Sequence, residues 1–97
     1  MIESFANSGT EDIYDGINSA AARKTLPREL WNIAFRKLDQ IEAATMLDDL
    51  KVPPGNRLEA LRSDREGQHS IRINDKYRIC FMWTDSGAVT VEIVDYH

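Results

Sequence analysis

Ser70-Ile71-Arg72-Ile73-Asn74-Asp75-Lys76-Tyr77-Arg78-Ile79-Cys80-Phe81-Met82-Trp83 is the stretch that decides the fold. Ile71 and Ile73 alternate with Arg72, and Tyr77, Ile79, Phe81 and Trp83 alternate with Arg78, Cys80 and Met82. A period of two is the mark of strands with one covered face. Asn74-Asp75 between them suits a tight turn, because short polar side chains bond their own backbone there. The reading is therefore a hairpin with an apolar face and an arginine-bearing face. Downstream, Asp85-Ser86-Gly87 turns the chain again. Val89–Asp95 continues the pattern, with Val91 and Ile93 opposite Thr90, Glu92 and Val94. Upstream, Arg57–Leu61 is a short candidate strand, followed by the polar turn Ser63–Gln68.

Farther upstream the period lengthens to that of a helix. Val52-Pro53-Pro54-Gly55-Asn56 ends helical structure, since two prolines remove donors and restrict the residues before them. Leu30, Trp31, Ala34, Phe35, Leu38 and Ile41 form one apolar stripe, with Arg36, Lys37 and Gln40 off it. Thr25 or Leu26 caps this helix in the reading, and Pro27 and Glu29 suit its first turn. Met46–Leu50 adds a short turn. Ser8-Gly9-Thr10-Glu11 has the form of a capping box, and Ile13, Ile17 and Ala20 or Ala21 follow at helical spacing, which predicts a first helix over about residues 9–20. Met1–Phe5 reads as a short strand. The sum is an α+β fold: two N-terminal helices on one face of a small antiparallel sheet, in a single domain spanning residues 1–97.

Ninety-seven residues, 42% of them apolar, suffice for one modest core. The lone Cys80 forms no internal disulfide and fits a reducing cytoplasm. No apolar run approaches the roughly 20 residues that span a bilayer, and Met1-Ile2-Glu3-Ser4-Phe5 lacks the form of a secretory leader. A net charge of −4 opposes a polyanion ligand on average. Its distribution does not: residues 1–50 hold five Lys/Arg against nine Asp/Glu, whereas Arg57 to Arg78 hold six basic against four acidic residues. Phosphate binding needs a local cluster of cations, not a basic average.

The folding pattern concentrates those cations. Arg72 and Arg78 share the sheet face away from the helices, Arg62 ends the preceding strand, and Tyr96 and His97 leave the last strand at its end. Arg57, Arg65 and Lys76 supply further candidate RNA contacts from the same stretch. Two histidines and one cysteine at unrelated spacings make no zinc site, Asp48-Asp49 has no partners for a two-metal nuclease, and neither a phosphate-cradling glycine loop nor a nucleophile elbow is present. No cofactor is implied. An arginine cluster with one histidine suits metal-independent RNA cleavage, in which a 2′-hydroxyl attacks the adjacent phosphate. Arginines stabilise the developing charge and the histidine moves a proton.

Pro53-Pro54-Gly55-Asn56-Arg57-Leu58-Glu59-Ala60-Leu61, Gly67–Asp75, Tyr77-Arg78-Ile79-Cys80-Phe81 and Val91-Glu92-Ile93-Val94-Asp95-Tyr96-His97 closely resemble HigB-type toxins of the RelE/ParE superfamily of bacterial toxin–antitoxin systems. The likeness is strong over residues 41–97 and compatible over 1–40. It implies a RelE-like fold and a ribosome-dependent endoribonuclease that cuts mRNA in the ribosomal A site. It also implies a HigA-type helix-turn-helix antitoxin as partner, with operator DNA bound through the complex. By position, the family's catalytic residues fall on Arg62, Arg72, Arg78, Tyr96 and His97. The family commonly has lysine where Arg62 stands; arginine keeps the charge but does not donate a proton at neutral pH. Two other functions compete with this reading: a ParE-like gyrase poison, and a degenerate toxin that only binds its antitoxin.

Overall fold

The expected hairpin forms the centre of the sheet. In the computed structural model, which describes residues 1–96, strands β1 (Glu59–Ala60), β2 (His69–Arg72), β3 (Tyr77–Thr84) and β4 (Gly87–Asp95) pair antiparallel in the order β1-β2-β3-β4. Ile71 lies opposite Ile79, which lies opposite Ile93, giving a cross-strand row of branched side chains. That row faces the helices. Between the Cys80–Glu92 and Met82–Val89 pairs, Phe81 faces both Thr90 and Val91, so β4 carries a bulge, with Thr90 at φ 51°.

Helices α1 (Ser8–Asp15), α2 (Ala20–Thr25) and α3 (Trp31–Ala43) cover the isoleucine face. Ile13, Ala22, Leu26, Ala34, Leu38 and Ile41 join Ile71, Ile79, Phe81, Val91 and Ile93 in one core. Fully covered side chains such as Leu38 and Phe81 contribute about 2 kcal/mol each by burial alone. The α+β class is as expected, with three helices in place of two. Residues 9–20 do not form one helix because Gly16 turns left-handed at φ 76° and Ser19 starts α2, its hydroxyl accepting from the Ala22 amide. Asn7, not Ser8, caps α1, its carboxamide oxygen accepting from the Thr10 amide at 2.9 Å. The prolyl entry to α3 passes through a 3-10 turn at Arg28–Leu30. Within its stripe, Phe35 is 44% exposed and stacks on Tyr14 at 5.4 Å rather than entering the core.

The open edge of β4 is closed from two directions. Met1–Ala6 runs parallel to its first half through two isolated bridges rather than a regular strand, with the Val91 amide donating to the Ser4 carbonyl at 3.0 Å. Farther along, the Ile93 amide donates to the buried Thr10 hydroxyl at 3.0 Å. Edge donors left bare invite pairing with other chains, and here they are used internally.

Asn56 ties the proline-rich turn to α3. Fully buried, it donates to the Gln40 carboxamide oxygen at 2.9 Å and the Leu50 carbonyl at 3.1 Å, and accepts from Lys37 Nζ at 2.5 Å. The next residue, Arg57, is held left-handed at φ 47°. Asn56→Ala removes the acceptor of a partly desolvated ammonium and strands two others, at a cost of about 3 kcal/mol. Urea denaturation should show that loss at an unchanged m-value. A loss below about 1 kcal/mol would mean the turn is held by other contacts.

Candidate functional site

Arg78 is the centre of the second sheet face. Directly opposed residues share a face, so Arg72, Arg78 and Val94 form one row, and Ser70, Cys80 and Glu92 the next. Arg72 and Arg78 therefore sit side by side on neighbouring strands, as the alternation implied. The face is not open, however: Arg78 is only 8% exposed, and Ser70 and Cys80 are fully buried. The sequence reading treated this face as exposed. A guanidinium can be covered here because acceptors meet its donors. Nε donates to Ser70 Oγ at 2.7 Å. One terminal nitrogen donates to the Arg57 carbonyl at 2.6 Å and the Ser70 carbonyl at 3.3 Å, and lies 3.5 Å from Glu59 Oε1. The left-handed turn at Arg57 thus has a use, since it supplies a carbonyl to Arg78. The other terminal nitrogen, Nη1, hydrogen-bonds nothing among the described residues.

Tyr96 lies over this arginine. Its ring centre is 5.7 Å from Arg78 Cζ, within cation–π range, and its amide donates to the Lys76 carbonyl at 2.7 Å. At 43% exposure its ring keeps a surface for a ligand. Beside it is a recess of about 310 Å³ lined by Leu61, Arg62, Asp64, Arg65, Val94, Asp95 and Tyr96. Arg62 is exposed there, and its guanidinium meets no carboxylate among the described residues.

Most of the other predicted cations are already engaged. Arg65 reaches Glu92 at 3.2 Å and Gln68 at 3.1 Å; Lys76 lies 3.7 Å from Asp95; Arg72 is paired with Asp75. Arg57 contributes its carbonyl while its side chain stays exposed. The structure therefore brings Arg62, Arg65, Arg78 and Tyr96 to one place. Arg72 and Lys76 lie at the β2–β3 turn end of the same sheet. His97 lies outside the described residues.

Several residues that shape the site escaped the sequence reading: Ser70, Glu59 and Glu92 around the arginines, and Lys37 from α3. Burial lowers the pKa of Lys37, and the nearby charges of Arg36 and Arg72 lower it further. A strand register drawn through Arg78 would have placed Glu59 and Glu92 on its face; the helical Lys37 gave no such signal. Burial raises the pKa of Cys80, whose thiol is therefore a packing group. Asp49, of the acidic pair, accepts from the Thr45 and Met46 amides at 3.0 and 3.2 Å, which holds its carboxyl low. Among the described residues no group of three or more His, Cys, Asp or Glu side chains is placed to hold a metal.

The two arginines of the central row should respond differently to substitution. Arg78→Lys keeps the charge but cannot meet acceptors on both sides, so it should cost about 2 kcal/mol of stability. Arg72→Ala removes only a surface pair and should stay within about 1 kcal/mol of the parent. Thermal melts of both proteins decide this, and equal losses would contradict the burial argument.

Comparison with known proteins gives one family. The family described as RelE-like toxin of type II toxin-antitoxin system HigB matches residues 3–97. Toxin HigB-1 of Vibrio cholerae serotype O1 is 42% identical over 66 residues, which cover 68% of this chain and 70% of that one. Endoribonuclease HigB of Proteus vulgaris is 29% identical over 98 residues, the full length of both. Among solved structures, the YoeB-YefM complex from Staphylococcus aureus contains a chain that superposes at a TM-score of 0.61 with 15% identity, covering 100% of this chain and 98% of that one. At that identity the likeness concerns the fold, and it agrees with the helix-on-sheet arrangement found here. With 95 of 97 residues inside the family match, the chain belongs to the HigB-like, RelE-like toxins of type II toxin–antitoxin systems.

Proposed function

We propose that this protein is a toxin that cuts mRNA in the ribosomal A site, and that a HigA-type helix-turn-helix antitoxin neutralises it. The observation that carries the reading is the Arg78–Tyr96 pair at 5.7 Å beside the recess that Arg62 lines. A buried, oriented guanidinium whose Nη1 bonds nothing among the described residues suits a phosphate whose charge grows in the transition state. The exposed Tyr96 ring suits stacking on an unpaired base. Family membership and the relative named as an endoribonuclease support the same chemistry. The antitoxin partner is supported by the family, and cognate operator DNA would be bound through the complex.

In this reaction the 2′-oxygen forms a bond to phosphorus and the bond from phosphorus to the 5′-oxygen breaks. The proton lost by the 2′-hydroxyl is balanced by one gained at the 5′-oxygen, leaving a 2′,3′-cyclic phosphate and a 5′-hydroxyl. His97 moves a proton in this scheme. Arg62, Arg72 and Arg78 neutralise phosphate charge, and Arg57, Arg65 and Lys76 steer the strand. Arg62 has an electrostatic part only, because its guanidinium holds its proton at neutral pH. The inventory calls for no metal in the chemical step, and the site of action is the cytoplasm, where ribosomes are.

Two measurements on one reaction test this. Purified protein with programmed ribosomes should leave 2′,3′-cyclic phosphate ends, and 5′-phosphate ends would exclude 2′-hydroxyl attack. His97→Gln should lose cleavage by at least about a hundredfold, as loss of a general acid or base does. The variant should also melt within a few degrees of the parent. Parental cleavage by it would remove His97 from the mechanism, and inhibition of DNA supercoiling without mRNA cleavage would favour the gyrase-poison reading.

A further inference from the structure

Four of the six cations between Arg57 and Arg78 face a carboxylate of the same chain: Arg65 with Glu92, Arg72 with Asp75, Lys76 with Asp95 and Arg78 with Glu59. We propose that Asp75 and Glu92 are specificity-determining residues, which occupy Arg72 and Arg65 so that free RNA is refused while RNA held on a ribosome is accepted. The inference rests on the ribonuclease reading above and extends it to residues outside the catalytic group.

Asp75 shows the arrangement most plainly. Its side chain is 99% exposed, and among the described residues its carboxylate contacts only Arg72. The β2–β3 turn does not need it, because Asn74 Oδ1 accepts from the Lys76 and Tyr77 amides at 2.9 and 2.8 Å. The carboxylate therefore contributes a charge beside an arginine and little else. Glu92 stands on β4 across from Cys80 and meets Arg65, which the 3-10 turn Ser63–Arg65 brings over the face.

The physical consequence follows from competition. A cation that is free releases a counterion when it meets a phosphate, and this drives nucleic-acid binding at low salt. A cation already facing a tethered carboxylate exchanges one anion for another and gains little. Free RNA in solution meets a site whose cations are mostly spent; among the described residues, Arg57 and Arg62 are the two of the six that face no carboxylate. RNA held by the ribosome presents phosphates at fixed positions, and the effective concentration of a positioned group far exceeds that of a free one. The carboxylates are then displaced in the one setting and not in the other.

The test measures binding of the full chain to a short single-stranded 2′-O-methyl oligonucleotide, which has no 2′-hydroxyl to attack. Asp75→Asn and Glu92→Gln should each tighten binding up to about fivefold, the scale of one near charge in water. Together they should steepen the dependence of log K on log salt by about 1.4, or about 0.7 for each released cation. The gain from Asp75→Asn should vanish when Arg72→Ala is also present, which a merely structural effect would not do. Asp85→Asn, at the opposite hairpin end, makes the same change of net charge and should leave affinity near the parent's. Parental affinity and slope in the double variant, or an equal gain from Asp85→Asn, would overturn the inference. Neither result touches the ribonuclease reading, which stands or falls on cleavage by the parent protein on ribosomes and the ends that it leaves.

Discussion

A guanidinium buried to 8% exposure must have its donors met, and much of this molecule is arranged around that demand at Arg78. Ser70 meets it from the neighbouring strand, the Arg57 carbonyl from above and Glu59 from the edge. The Arg57 carbonyl is available only because the backbone there is left-handed, a conformation that costs a non-glycine residue on the order of 1 kcal/mol. That conformation directly follows Asn56, whose buried amide is bonded to α3 and to the Leu50 carbonyl. A chain of polar contacts thus runs from Lys37 and Gln40, through Asn56 and Arg57, to Arg78. The helical layer does more than cover the isoleucine face, because it also fixes the arginine on the other face.

This arrangement separates two kinds of arginine that a sequence presents as equals. Arg78 is preorganised and partly consumed by structure, with one terminal nitrogen left over among the described residues. Arg62 is exposed and Arg72 half-buried beside an exposed Asp75, where charge is screened by solvent. A fixed donor is worth most where charge develops in the transition state, and mobile cations are worth most in capturing the strand. Tyr96 belongs with Arg78, since its ring rests against the same guanidinium. An acidic protein that neutralises most of its own site cations is a poor binder of free polyanion. Under the proposed function it would gain most from a partner that orients the RNA.

The hairpin and its two faces were legible because a period of two leaves little choice about which side chains share a face. Ile71, Ile79, Ile93, Arg72 and Arg78 all lie where the alternation put them. The start of α1 and the break at Gly16 were less legible: Asn7 and Ser8 are both good caps, and a glycine within an apolar repeat reads equally as interior or end. The covering of Arg78 was not legible at all. It depends on how the segment from Arg57 to Arg65 folds back across the sheet, and that path is set by Asn56 and by two residues with positive φ, Arg57 and Ser63. Alternation and charge distribution pointed to the candidate site residues and the resemblance agreed, whereas the pairing of Arg65, Arg72 and Lys76 with carboxylates came from the structure alone.

In the proposed function the site needs its RNA held. One mRNA should be presented to the parent protein both free and in a programmed ribosome complex, at equal enzyme and moderate salt. Cleavage within the ribosomal A-site codon at a rate at least about a hundredfold above that of free mRNA is the expected result, a modest part of what orientation can supply. Comparable rates in the two settings would contradict the account and identify a stand-alone ribonuclease.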